Sequence, residues 1–160
     1  MATYSIRPIS PVFRNEAYRF VTYPLADSQT FKKGAAVLLN TDGKVEECGA
    51  DPALVLGFAL ADAADYSWKD DTFGTVDPAV PVALADQTFR GTLEGTYDAD
   101  GHISVDFGLV KDATGYWTVD ETDETNVRVI LIGVDDGVVD GDVNVPCTFT
   151  VISSVRQLSI

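Results

Sequence analysis

The chain has 160 residues, 46% of them apolar, and carries 25 Asp or Glu against 11 Lys or Arg for a formal net charge of −14. This length and apolar share suit one globular domain with a real core, while the charge makes a phosphate backbone a poor partner, because non-specific nucleic-acid binding needs clustered Lys and Arg. No apolar run approaches the roughly 20 residues that cross a bilayer, and the opening MATYSIRPISPVF has no apolar centre, so neither a membrane partner nor a secretory signal is expected.

The charge is unevenly divided. Residues 1–33 hold five Lys or Arg and two Asp or Glu, a net +3, whereas residues 34–160 hold six and 23, a net −17. The leading stretch MATYSIRPISPVFRNEAYRFVTYP contains Pro8, Pro11 and Pro24, which disfavour a continuous helix. It also contains Tyr4, Phe13, Tyr18, Phe20 and Tyr23, apolar mass that a free tail would expose to water. Two readings follow: the stretch forms the first strands of the same domain, or it is an extended arm that docks on a neighbouring chain.

From Phe31 onward the pattern is strand, turn, strand. GAAVLL (34–39) meets a hairpin-type turn at Asp42-Gly43, Lys44-Val45-Glu46-Glu47 continues, and GADPA (49–53) breaks the run. In LVLGFALA (54–61), Gly57 predicts a bulge or a close approach of backbone. VPVALA (80–85) is followed by TFRGTLEG (88–95), in which Phe89, Gly91 and Leu93 alternate with Arg90, Thr92 and Glu94. A tight turn at DADG (98–101) leads into HISVDFGLV, and YWTVD (116–120), VRVILIGV (127–134) and VPCTFTVI (145–152) complete the set. Short β-branched and aromatic runs between Gly, Asp and Asn predict an all-β sandwich or barrel. The one helical candidate is a turn or two around ADAADYSW (61–68).

Chemical motifs are few. Cys48 and Cys147 form no CxxC pair, so a metal or redox site has no support, and they read as two buried free thiols, with a disulfide between them as the alternative. His102, the sole histidine, sits in the DADGHIS turn and reads as a polar hairpin residue. Asp70-Asp71, Asp120-Glu121 and Asp135-Asp136 lie in turn-like segments where solvated charge is the ordinary state. An acidic hydrolase would need two of the carboxylates across a cleft. Asp140-Gly141-Asp142-Val143-Asn144 begins like a calcium loop, but Val145 stands where the sharp turn needs Gly and Val151 where the bidentate Glu belongs. Phosphate-cradle, nucleophile-elbow and zinc-protease motifs do not occur. No catalytic residue, cofactor or metal is therefore expected. Trp68, Tyr97, Tyr116 and Trp117 are the aromatic residues on which a sugar-binding groove would have to be built.

The stretch FKKGAAVLLNTDGKVEECGADPALVLGFALADA (31–63) resembles the opening of the capsid decoration, or cement, proteins of tailed phages. The similarity rests on Gly34 and Val37, on Asp42-Gly43-Lys44-Val45, on Ala50-Asp51-Pro52, and on Gly57-Phe58-Ala59 running to Ala63. VPVALADQTF (80–89) also looks like the family's next strand, whereas positions beyond Tyr116 find no individual counterpart. The resemblance implies a small β-tulip or barrel domain, often a trimer, standing on the outer surface of the virion. An N-terminal arm would then reach across the major capsid protein and stabilise its lattice. It supplies no catalytic residues.

On that basis residues 1–24 are expected to form the arm and residues 25–160 one β-rich domain. The capsid-contact candidates are Tyr4, Arg7, Phe13, Arg14, Tyr18 and Arg19, since Tyr and Arg are enriched in interface hot spots. The acidic body would face solvent, where like charges discourage association between particles. The alternative is a particle-displayed module of head-fibre or adhesin type that binds carbohydrate or a receptor.

Overall fold

The strand runs read from the sequence fall into two sheets. The computed structural model describes residues 5–8, 19–63 and 78–158, and regular structure there is almost entirely β. In chain order the strands are β1 (Arg7–Pro8), β2 (Phe20–Pro24), β3 (Ala36–Leu39), β4 (Val45–Glu47), β5 (Gly57–Ala59) and β6 (Ala79–Leu84). They continue with β7 (Thr88–Thr96), β8 (Asp106–Lys111), β9 (Trp117–Asp120), β10 (Val129–Val134) and β11 (Val143–Val151). A 3-10 turn at Ser153–Val155 follows. Residues 64–68 of the helical candidate lie outside the described residues.

Strands β7, β11, β10, β8 and β9 close into a five-stranded barrel. Closure comes from a parallel pairing of β9 with the second half of β7, Leu93 opposite Val119 and Glu94 opposite Asp120. The first half of the same β7 edge is taken by β1, Arg7 opposite Arg90 and Pro8 opposite Phe89. The other sheet runs β2-β6-β5-β3-β4. An isolated bridge between Leu25 and Val45 draws its two ends together. The all-β expectation, with a barrel and little helix, is the architecture that forms.

Period-two patterning explains the barrel wall. Along β11 Val145, Cys147, Phe149 and Val151 are buried while the residues between them are partly exposed, which is the alternation of a strand with one face on a core. Proline occurs in the inner strands only where the neighbour has ended. The carbonyl of Pro81 accepts from Leu60, just past β5, and that of Pro146 accepts from Asp135, just past β10. Neither ring therefore removes a ladder donor.

The two sheets share one core. Phe58 of β5 meets Phe89 of β7 edge-on at 4.6 Å between centroids and Phe149 of β11 at 5.8 Å. Phe89 and Phe149 lie 5.9 Å apart, near parallel. Such aromatic pairs add stabilisation beyond their buried area. Around this centre, long polar side chains staple barrel to sheet. Arg128 donates from Nε to the Pro52 carbonyl and from Nη2 to that of Asp51 at 3.0 Å. Gln157 donates to the Leu39 carbonyl at 2.7 Å and accepts from the Leu39 amide at 2.6 Å. Glu47 receives Lys111 Nζ at 2.8 Å and Trp117 Nε1 at 3.0 Å.

Candidate interaction surface

Two pieces of the basic leading stretch are described, and both are hydrogen-bonded to the body. Ile6 is buried beside β1, and β2 pairs along its whole length with β6. β2 is an edge strand among the described residues, and Phe20 is 54% and Val21 40% exposed although successive residues point to opposite faces. Apolar side chains exposed on both faces of an edge strand are uncommon, because natural edges are usually blunted by charge.

The contact candidates separate accordingly. Tyr4, Phe13, Arg14 and Tyr18 lie outside the described residues. Arg7 is exposed on β1, with its guanidinium unpaired among the described residues. Arg19 is held by its own chain. Its guanidinium pairs with Asp86, whose side chain is only 8% exposed. Its backbone N–H donates to Gln87 Oε1, and its carbonyl accepts from Gln87 Nε2, both at 2.6 Å. The β6–β7 turn thus grips the start of β2, and Arg19 secures that corner while its side chain stays 53% exposed. Sequence reasoning missed Arg90, the cross-strand partner of Arg7. Its signal was the outward register of Arg90, Thr92 and Glu94 along β7.

The acidic residues have a different task. Asp98 Oδ1 accepts from the amides of Asp100 and Gly101, and Asp112 Oδ1 from those of Thr114 and Tyr116. Asp120 Oδ1 takes the Thr122 amide, and Asp123 Oδ1 takes those of Thr125 and Asn126. These are Asx turns, in which a short side chain replaces a backbone acceptor and fixes the loop. Four of the 23 acidic residues of the body thus serve turns. Hydrogen bonds from the Asn126 and Thr125 amides hold the Asp123 carboxyl below the ordinary carboxylate range, the opposite of what a general acid needs.

The calcium-like stretch follows the same rule. Asp140 Oδ1 accepts from Ala99, Asp142 Oδ2 from Val139, and Asn144 Oδ1 from Gly95. The three side chains point at three different amides rather than at one centre, and no group of metal-binding side chains gathers among the described residues. His102 accepts the Asp98 amide at Nδ1 and packs edge-on against Phe107 at 5.3 Å, a loop-packing role.

Of the aromatic residues considered for a sugar groove, Trp117 and Tyr97 are buried, at 3% and 5% exposure. Tyr116 is half-buried with Lys32 Nζ 4.5 Å from its ring centroid, and Trp68 lies outside the described residues. Both cysteines are free and buried, and burial pushes each thiol up to about 12. Comparison with protein-family models and with curated proteins finds no match for this chain.

Proposed function

We propose that this chain is a capsid decoration protein that binds the outer surface of an assembled phage head and stabilises the lattice of its major capsid protein. The observation that carries the reading is the edge strand β2, which ends its sheet among the described residues. It lies in the one net-positive part of an acidic chain and presents Phe20 and Val21 to solvent. The stretch with the family resemblance runs through β3, β4 and β5, consecutive strands of the same sheet as β2. An exposed apolar edge suits main-chain and side-chain contact with a partner. The acidic turns are suited to the face turned outward.

Lattice binding of this kind works through many weak contacts. A homotrimer on a periodic surface multiplies them by avidity. The role is structural, without chemistry on a substrate.

The test is co-sedimentation of the full chain with heads that lack decoration, beside sedimentation of the chain alone. Saturable binding is expected, with a trimer in the control run. Phe20→Ala with Val21→Ala should weaken binding while leaving the thermal midpoint in place. Failure of the parent chain to sediment with heads at micromolar concentration would refute the reading. Deletion of residues 1–24 is not a clean alternative, because it removes buried Ile6 and the whole of β2.

A further inference from the structure

Arg7 and Arg90 face each other across the β1–β7 pairing. Their register neighbours are Pro8 and Phe89, and Phe89 is fully buried. The two arginines, one step along, therefore project from the outer face. Like charges directly opposite one another destabilise a strand pair. Among the described residues one carboxylate serves this pair, Asp135, which Arg90 engages through Nη2. Asp135 is itself fixed, since its amide donates to the Pro146 carbonyl at 3.2 Å. That leaves Arg7 without a counter-ion among the described residues and leaves further N–H donors on Arg90, which has five.

Between them is a cleft of about 230 Å³ lined by Ser5, Arg7, Arg90, Gly91, Asp135 and Pro146. We propose that this cleft receives a carboxylate side chain, Asp or Glu, from a protein partner, held between Arg7 and the unused donors of Arg90. Charge and size both select that ligand. Two guanidiniums and one carboxylate leave one positive charge, which a single carboxylate neutralises. A phosphate dianion would exceed that charge and sit beside Asp135 within the field of an acidic body. The volume falls below the ~300 Å³ at which small-molecule pockets begin, so an inserted side chain fits better than a free metabolite. Planar guanidinium matches planar carboxylate through paired, charge-assisted hydrogen bonds.

The cleft is tested without any phage head, so its fate and that of the decoration reading are separable. The full ¹⁵N-labelled chain is titrated with acetyl-Gly-Glu-Gly-amide, with the Gln version of that peptide, and with inorganic phosphate. Saturable shifts are expected at the Arg7 and Arg90 Nε–H signals and at the Gly91 amide for the Glu peptide alone. Arg7→Ala should weaken the response about tenfold with an unchanged thermal midpoint, and Arg7→Lys should restore only part of it. Lys33→Ala removes an equal charge elsewhere and should change nothing. The proposal is overturned if the Gln peptide shifts the same signals, if Arg7→Ala binds as the parent does, or if Lys33→Ala weakens binding equally. Tighter binding of phosphate than of the Glu peptide overturns the choice of carboxylate.

Discussion

Gly57 lies so close to Ala83 across the β5–β6 pairing that a Cβ on Gly57 would stand 1.9 Å from the Ala83 carbonyl oxygen. The obstacle is backbone, which cannot swing aside as a side chain would. Phe58 and Ala59, the next two residues, are completely buried, so this approach sets how deeply β5 seats against β6.

Gly57→Ala is therefore expected to cost about 3 kcal/mol, the upper range for overpacking a tight core. In a chain of this size that lowers the melting midpoint by roughly 10 °C. Gly49→Ala is the control: nothing stands within 4 Å of its Cβ position, so stability should hold or rise slightly. Thermal melts of the two variants decide the matter, and equal midpoints would show that β5 has room to retreat.

The Phe58–Phe89–Phe149 cluster predicts that barrel and sheet unfold together. Phe89→Ala should cost on the order of 3–5 kcal/mol, and urea unfolding followed by near-UV and far-UV signals should give one coincident transition. Two separated transitions would mean that the aromatic contact does not couple the sheets. A double-mutant cycle on Phe58 and Phe89 should return a coupling of about 1 kcal/mol.

Arg19 and Asp86 predict an effect on stability. Arg19→Ala leaves a nearly buried carboxylate without its cation and should destabilise by about 2 kcal/mol, scaled down from a fully buried pair because Arg19 is half exposed. Asp86→Asn in the same chain should recover part of that loss. If denaturant midpoints show no loss in Arg19→Ala, the ion pair does not secure the corner.

The thiols set a limit at alkaline pH. Both have an ordinary value of 9.0 and are raised by burial to about 12. Below pH 9 their contribution is fully present. As pH rises from 9 toward about 12 the unfolded chain loses protons that the folded chain keeps, so stability falls. By about pH 10 the loss should be on the order of 1 kcal/mol per thiol. Cys48→Ala with Cys147→Ala should flatten this alkaline slope. Neither thiol of the parent chain should react with a thiol reagent at pH 8 until denaturant is added, and rapid labelling of the native protein would contradict their burial.

Strand positions were legible because period-two alternation and Asp-Gly or Asp-x-x-Gly turns are local properties. Phe89, Gly91 and Leu93 gave the inner face of β7, and Gly57 gave the close approach that Ala83 makes. What pairs with what was not legible. The parallel contact of Leu93 with Val119 and the sharing of one β7 edge between β1 and β9 depend on non-local closure, which leaves no mark on neighbouring residues. Arg19 illustrates the same limit at the surface. Its charge and position suited a partner contact, while Asp86, the side chain it meets, lies far along the chain. The reading of Asp pairs as solvated charge was incomplete, because Asp120 fixes a turn and Asp135 pairs with Arg90, and a turn-forming Asp has the same sequence signature as a merely soluble one; Asp70-Asp71 lie outside the described residues.

The register of Arg7 with Arg90 also orders events in time. A growing chain releases β1 and β2 long before β7 and β6, the strands that will hold them, have been made. Until those later strands emerge, the aromatic and basic leading segment has no internal partner and depends on its charge and its prolines to avoid pairing with other nascent chains. Its docking belongs to the late steps of folding, since distant strands must be brought together before their contacts stabilise them. A destabilising substitution of the buried residue beside β1, Ile6→Ala, should consequently speed unfolding more than it slows folding.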